Sequence, residues 1–371
     1  MRLVYIASPR SAHTMRWANA MADREHELHL ITLEKPSFAL HHAIVVHKLP
    51  FRRPIGYWLG APWARLLLSK LQPDVLHVHY AAGYAVLGRL SGFHPRILSI
   101  WGSDVFLVPY QSRFQNAVVR KNLLGHDLLC ATGPAIAEQT RRVCPEVGEI
   151  LITPFGVDLG QFAPNPSQRD PSTITIGTVK GLHPVYGTDI LVRAFAQLRR
   201  RLYASDPALA SKLRLLIVGR GTHREQIEAL VRDLGLAGVT EMPGLIPHSE
   251  VPNYLNRLDV YVTASRSESF GVAVLEASAC GIPVVVTDVG GLPEVVEDGK
   301  TGIIVPPEDP AAVADAVEAL VRNPERRLQM GQAGREMVAR RYSWDESVRI
   351  MEGVYAKALG LARNTKTLHS G

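Results

Sequence analysis

Residues 259–296, DVYVTASRSESFGVAVLEASACGIPVVVTDVGGLPEVV, carry the strongest structural signal in the chain. A β-branched run ends near Ser265, a polar loop holds Glu268, and Gly271 opens a stretch of small and apolar residues with helical period that stops at Gly281. A second β-branched run, IPVVVTD, follows directly. A helix that starts at the carboxyl end of a strand points its free N–H groups, here around Gly271 to Val274, and the positive end of its dipole at whatever lies there; a phosphate or pyrophosphate suits such a place. Glu268 precedes the helix. Glu276 lies inside it among Val274, Leu275, Ala277, Ala279 and Cys280, where an ionised carboxylate needs hydroxyl or cationic partners. Sugar hydroxyls would supply them; the plainer alternative is that Glu268 complements the dipole and Glu276 faces solvent.

The same alternation runs through the rest of the chain. RLVYIAS, HELHLIT, AIVVHKLP, DVLHVHY and RILSIWG read as one series of strands; TITIGTV, LRLLIVG, VTEMPG, DVYVTAS, IPVVVTD and TGIIVPP read as another. Helical stretches separate them, in the second series near 188–202, 222–235, 249–257, 272–280 and 310–322. The pattern predicts an α/β chain of two doubly wound, Rossmann-like domains facing across a cleft. ITPFGVDLGQFAPNPSQRDPST reads as the linker, which gives domains of 1–160 and 161–342. From 343 on, SWDESVRIMEGVYAKAL reads as a helix with Ser343 as N-cap, packed on either domain.

The 371 residues are 46% apolar and 20% charged, which excludes disorder as the main state. Residues 1–155 carry 17 Lys/Arg against 10 Asp/Glu, while the remainder carries 24 against 25, so the net +6 belongs to the first half. An acidic partner or a solvated face both fit that asymmetry. Three cysteines without CxxC spacing, no run of 18 apolar residues and no signal-like h-region are expected of a cytoplasmic chain. FRRPIGYWLGAPWARLLLSK sets Arg52, Arg53, Arg65 and Lys70 beside Tyr57, Trp58 and Trp63, which suits an anionic membrane surface or a helix that merely covers the sheet. No nucleic-acid-binding motif accompanies these cations.

ESFGVAVLE resembles the Glu-x7-Glu pattern of the retaining GT-B glycosyltransferases of family 4. IGTVKGLHPVYGTDILVRAF, LLIVGRGTHREQIEALVRDLGL, GGLPEVVEDGKTGIIVPPEDP, ITPFGVDLGQF, DVLHVHY and SIWGSDV are similar to other segments of that family, in the same order. The resemblance implies a donor-binding second domain. There Glu276 would hold the ribose of a nucleoside-diphosphate sugar, while Glu268, with Ser269 and the backbone of Phe270 and Gly271, would hold the donor sugar. Backbone from Val272 on would meet the diphosphate, Lys180 would stabilise the leaving group, and loops around Gly219, Leu245 and Ile246 would read the base. Tyr186 stands where the family commonly has Lys, so one cation of the usual pair is missing, with Arg266 as a candidate substitute. The acceptor, a glycan or lipid-linked hydroxyl, would meet the first domain. Its candidates are His13, which also reads as a helix-start residue, Trp101, which would stack on a sugar or pack, and Asp104, which would bind hydroxyls or cap a turn.

No cofactor or metal is expected. Leaving-group charge would fall to Lys180 and the helix N-terminus, the acidic pairs Glu308-Asp309 and Asp345-Glu346 sit where helix capping explains them, and His77 with His79, on one face of a strand, read as cleft lining rather than ligands. Other readings are a nucleotide-sugar epimerase of the same fold and a non-catalytic sugar-nucleotide or glycan binder. An NAD-dependent enzyme is disfavoured because VGRGTHRE carries only two glycines of GxGxxG.

Overall fold

The computed structural model describes residues 1–369, with side chains through Leu361. Two compact units divide at Pro154 and Phe155 and again at Glu346 and Ser347, so the first unit consists of Met1–Pro154 and the residues from Ser347 on. The second is Phe155–Glu346. The first break precedes the boundary of 160 expected from the linker, because Phe155, Val157 and Phe162 are already buried, with Val157 bridged to Ser343.

The first unit holds seven parallel strands: β1 Arg2–Ile6, β2 Glu27–Thr32, β3 Val45–Lys48, β4 Val75–His79, β5 Arg96–Ile100, β6 Leu128–Ala131 and β7 Ile150–Ile152, in the order β3-β2-β1-β4-β5-β6-β7. Two of these, β6 and β7, extend the sheet beyond the five strands expected. Central strands such as VLHVH and RILSI are buried along their whole length, as a sheet covered on both faces requires. Val4, Ile6, Leu76, Val78, Leu98 and Ile100 form the middle of the core.

The helix Trp344–His369 starts under the expected cap, the Glu346 N–H donating to Ser343 Oγ at 3.3 Å. It buries Met351, Val354, Tyr355 and Ala358 in the first unit. The Tyr355 hydroxyl reaches the Tyr5 hydroxyl at 2.7 Å and His77 Nδ1 at 2.9 Å, while His77 Nε2 meets Ser99 Oγ at 2.8 Å. Burial holds His77 and Tyr355 neutral, pushing the imidazole down to about 3 and the phenol well above its ordinary value. His77 is therefore a core residue with both ring nitrogens used, which corrects the cleft-lining reading.

The second unit holds six parallel strands: β8 Ile174–Val179, β9 Leu213–Val218, β10 Thr240–Gly244, β11 Val260–Thr263, β12 Val284–Thr287 and β13 Gly302–Val305, in the order β10-β9-β8-β11-β12-β13. Leu191, Phe195 and Leu198 recur at helical spacing on Thr188–Ser205 and join Val313, Val317 and Leu320 of Pro310–Val321 in one core. Each such buried side chain contributes about 1.5–3 kcal/mol. Strand order reverses between β1 and β4 in one unit and between β8 and β11 in the other, and ligands of doubly wound sheets bind beyond the carboxyl ends of strands at that reversal. Cys130, Cys144 and Cys280 are buried free thiols. Among the described residues no helix is long and apolar enough to cross a membrane.

Candidate active site

The reversal point of the second unit gathers the residues singled out from sequence. Lys180 follows β8, and Ser265 and Glu268 follow β11. The Lys180 ammonium contacts Glu268 Oε2, donates to Ser265 Oγ at 3.3 Å and lies 4.4 Å from the centroid of the Tyr186 ring. Both members of the ion pair are largely shielded from water, with 11% and 14% of their side chains exposed. The aromatic face of Tyr186 thus lies over the ammonium. Burial, and next the negative charge of Glu268, raise its phenol above the ordinary range, so it stays neutral.

Close backbone packing sets this geometry. Gly219, after β9, has φ +145, and a Cβ there would lie 1.8 Å from the Lys180 carbonyl oxygen. Gly290, after β12, has φ +52, and its Cβ would lie 1.9 Å from the carbonyl oxygen of Glu268. That oxygen accepts the N–H of Gly291 at 3.0 Å, and the Thr287 hydroxyl donates to the Ser265 carbonyl at 2.6 Å. Four loops, those after β8 and β9 and those after β11 and β12, are thus joined in two pairs by close contacts with main-chain carbonyls.

The helix Val272–Ala279 begins at Gly271, in left-handed conformation. Val274 and Leu275 donate to the Gly271 carbonyl, so Val274 is not among the free donors; Val272 and Ala273 have no backbone acceptor among the described residues and supply them. Phe270 turns its ring into the core against Phe155 and Tyr342, so only its backbone borders the site, and Ser269 is half-buried. Glu276 is 9% exposed, with His248 Nε2 at 3.4 Å from its carboxylate. Ile246 is half-buried and Leu245 exposed on the loop that also carries His248. His248 has no counterpart in the sequence reading; only its nearness to Ile246 could have pointed to it.

Arg266 does not replace the missing cation. Its guanidinium grips both carboxylate oxygens of Asp189 at 2.9 Å, donates to Glu308 at 2.5 Å and donates to the Pro184 carbonyl at 2.6 Å. Two carboxylates offset its charge, and the hydrogen bonds to Asp189 foremost push its proton affinity up. The neighbouring Asp309 caps Pro310–Val321 through the N–H groups of Ala311 and Ala312, as expected.

In the first unit, His13 and Trp101 lie together beyond the strand ends, ring centroids 5.8 Å apart, and Trp101 is 4.7 Å from His79. His79 is buried; its Nδ1 meets Thr14 Oγ1 at 3.2 Å while its Nε2 has no hydrogen-bond partner among the described residues. Asp104 is not a hydroxyl-binding carboxylate. It is wholly buried and accepts the N–H groups of Ala81 at 2.8 Å, Gly102 at 2.7 Å and Trp101 at 3.2 Å, which makes it the knot that ties the turn after β5. Among the described residues no group of three or more His, Cys, Asp or Glu could hold a metal ion.

Comparison with known proteins agrees with this arrangement. The family model for glycosyl transferases group 1 matches residues 161–337, and the one described as glycosyl transferase 4-like matches residues 2–133. The chain is 34% identical over 318 residues to a GDP-mannose-dependent alpha-(1-6)-phosphatidylinositol monomannoside mannosyltransferase of Mycobacterium tuberculosis, covering 79% of this chain and 80% of that one. It is 35% identical over 234 residues to a D-inositol 3-phosphate glycosyltransferase of Acidothermus cellulolyticus, covering 60% of this chain and 51% of that one. Against several such relatives the match spans about half their length. Sucrose-phosphate synthase from Thermosynechococcus elongatus superposes with a TM-score of 0.83 at 22% identity, over 97% of this chain and all of that one, and so shares the fold. Together with the Glu-x7-Glu segment in place beyond β11, these matches show that the chain belongs to the glycosyl transferases group 1, glycosyltransferase family 4, on the GT-B fold.

Proposed function

We propose that the chain is a retaining glycosyltransferase that moves a sugar from a nucleoside-diphosphate donor to a hydroxyl of a glycan or lipid-linked acceptor, in the cytoplasm. One observation carries the reading: at the strand reversal of the second unit a single shielded ammonium, Lys180, is held against a carboxylate beside free helix N–H groups. A buried ion pair gives little net stability, so it is easily exchanged for a better partner. A donor diphosphate would take the ammonium and the N–H groups of Val272 and Ala273, which releases Glu268 to accept hydrogen bonds from the sugar. Glu276 would accept those of the ribose.

As the sugar–oxygen bond breaks, negative charge grows on the leaving phosphate, and Lys180 with the helix N-terminus stabilises it without moving. No step calls for a metal or other cofactor. No side chain is assigned as a covalent nucleophile, so the acceptor hydroxyl would attack on the face the phosphate leaves, giving its proton to that phosphate and retaining configuration. His13 and Trp101 border the place for the acceptor. The names of two relatives specify GDP-mannose and inositol-based acceptors, which makes those the first pair to try. The test is transfer and donor hydrolysis by purified protein, with Glu268→Ala. Loss of both reactions in the variant supports the reading; equal turnover removes Glu268 from it, and release of an altered free sugar identifies an epimerase.

A further inference from the structure

We infer that the face formed by residues 52–70 and the start of helix Arg113–Leu124 is a docking surface for an anionic lipid bilayer. The helices Gly56–Leu59 and Ala61–Leu71 bury Ala61, Ala64 and Leu68 against the unit, yet leave Ile55 65%, Trp58 40%, Trp63 48% and Leu66 53% exposed on the other side. Phe114, 64% exposed, belongs to a helix more than forty residues further on, and its ring lies 6.4 Å from that of Trp58 at 30° between planes. Distant segments therefore pool large apolar side chains on one surface, which scattered exposed residues do not do.

The charge around this patch is mostly positive, with the largely shielded Glu34 paired to Arg53 at 2.8 Å. Between Phe51 and His126 the chain carries nine Lys/Arg and two Asp/Glu. Neither acid faces the patch, since Asp74 accepts the Arg2 N–H at 2.7 Å and Asp104 is buried in its turn. Arg52, Lys70 and Arg113 are exposed, and their side chains form no ion pair with another described residue. Indole and phenyl rings beside unpaired cations match the boundary between acyl chains and anionic headgroups, where rings enter the apolar layer and cations meet phosphates. A protein partner would need acidic residues at the same spacing, whereas an anionic bilayer presents headgroup phosphates everywhere. This names the surface on which a lipid-linked acceptor would be met, but it rests on the patch and not on the chemistry proposed above.

The test is flotation of the full chain with vesicles of phosphatidylcholine alone and of phosphatidylcholine containing about a third phosphatidylglycerol, at low and high salt. The expected result is about tenfold more protein bound to the anionic vesicles, falling with salt, and a loss of similar size in Trp63→Glu/Leu66→Glu and in Arg52→Glu/Arg113→Glu. These positions are exposed, and an unchanged melting temperature with unchanged nucleotide-induced stabilisation shows that fold and donor site survive. Equal binding to both vesicles, no binding, or variants that bind like the parent overturn the inference. So does a chain that elutes at twice its mass and becomes monomeric in Trp63→Glu/Leu66→Glu, because the face then belongs to a second copy. Failure of nucleotide stabilisation with vesicle binding intact would instead count against the proposed chemistry.

Discussion

The two units share a strand reversal but use their polar groups in opposite ways. In the second, Lys180 and Glu268 stand at the strand ends and Glu276 inside the helix that follows, shielded yet reachable, and their partners (one another, the Ser265 hydroxyl and His248) are exchangeable. In the first, His77 and Asp104 are sealed in and spend their hydrogen bonds on the fold: on Tyr355 and Ser99, and on the turn after β5. A polar residue whose bonds are already taken holds structure, and one left with an exchangeable partner is open to a ligand.

Acid should break the comparison hardest. Burial pushes His77 down to about 3 and His126 to about 4, and His79 well below its ordinary value. The unfolded chain takes up these protons near pH 6.5 and the folded one does not, so stability is full above pH 6.5 and falls as pH drops toward the folded values. At pH 5 His77 and His126 each contribute a loss of about 2 kcal/mol, and His79 adds in the same direction. Four of five tryptophans, Trp17, Trp58, Trp63 and Trp101, lie in the first unit. Urea unfolding followed by tryptophan fluorescence should therefore shift to much lower urea at pH 5 than at pH 7, and identical curves would mean the buried imidazoles titrate freely.

Lys180→Ala should lower transfer by about 10²–10³-fold, the size of losing one preorganised charge-stabilising donor, and also lower the melting temperature, because it leaves the shielded Glu268 carboxylate unpaired. A rate within tenfold of the parent would take Lys180 out of the chemistry. Gly290→Ala sharpens the point that backbone places Glu268: the methyl group collides with its carbonyl oxygen, so a cost of about 1–3 kcal/mol in thermal melts and a weaker donor KM should appear together. Smallest is Glu276→Gln, expected to weaken nucleotide binding about tenfold through lost charge-assisted hydrogen bonds. Thermal shifts against UDP, GDP and ADP measure it, and the nucleotide that responds names the base.

Most of the architecture was legible, because long β-branched runs alternating with helices admit few arrangements. The strands β6 and β7 were not, since LLCA and ILI are too short to show a period and borrow their conformation from neighbours. Glu268 and Glu276 stood out from their local setting around Gly271, whereas Lys180 was singled out only by the family resemblance. Arg266 could not be judged that way, because the groups that capture it, Asp189 and Glu308, lie 77 and 42 residues away. Asp104 stayed open between hydroxyl binding and turn capping for the same reason: Ala81, whose N–H it accepts, belongs to another turn. Tertiary partners decide whether a charge is available, and spacing does not reveal them.

The return of the chain to the first unit at Ser347 also constrains the order in which the molecule can assemble. During synthesis Tyr5 and His77 emerge early, but their hydroxyl partner Tyr355 arrives only after the whole of Phe155–Glu346 has been made. The second unit can fold as it leaves the ribosome, whereas the first must wait with an open seam beside β1 and β4. The later segment therefore finishes first, and the N-terminal half spends that interval as the part most exposed to chaperones and proteases.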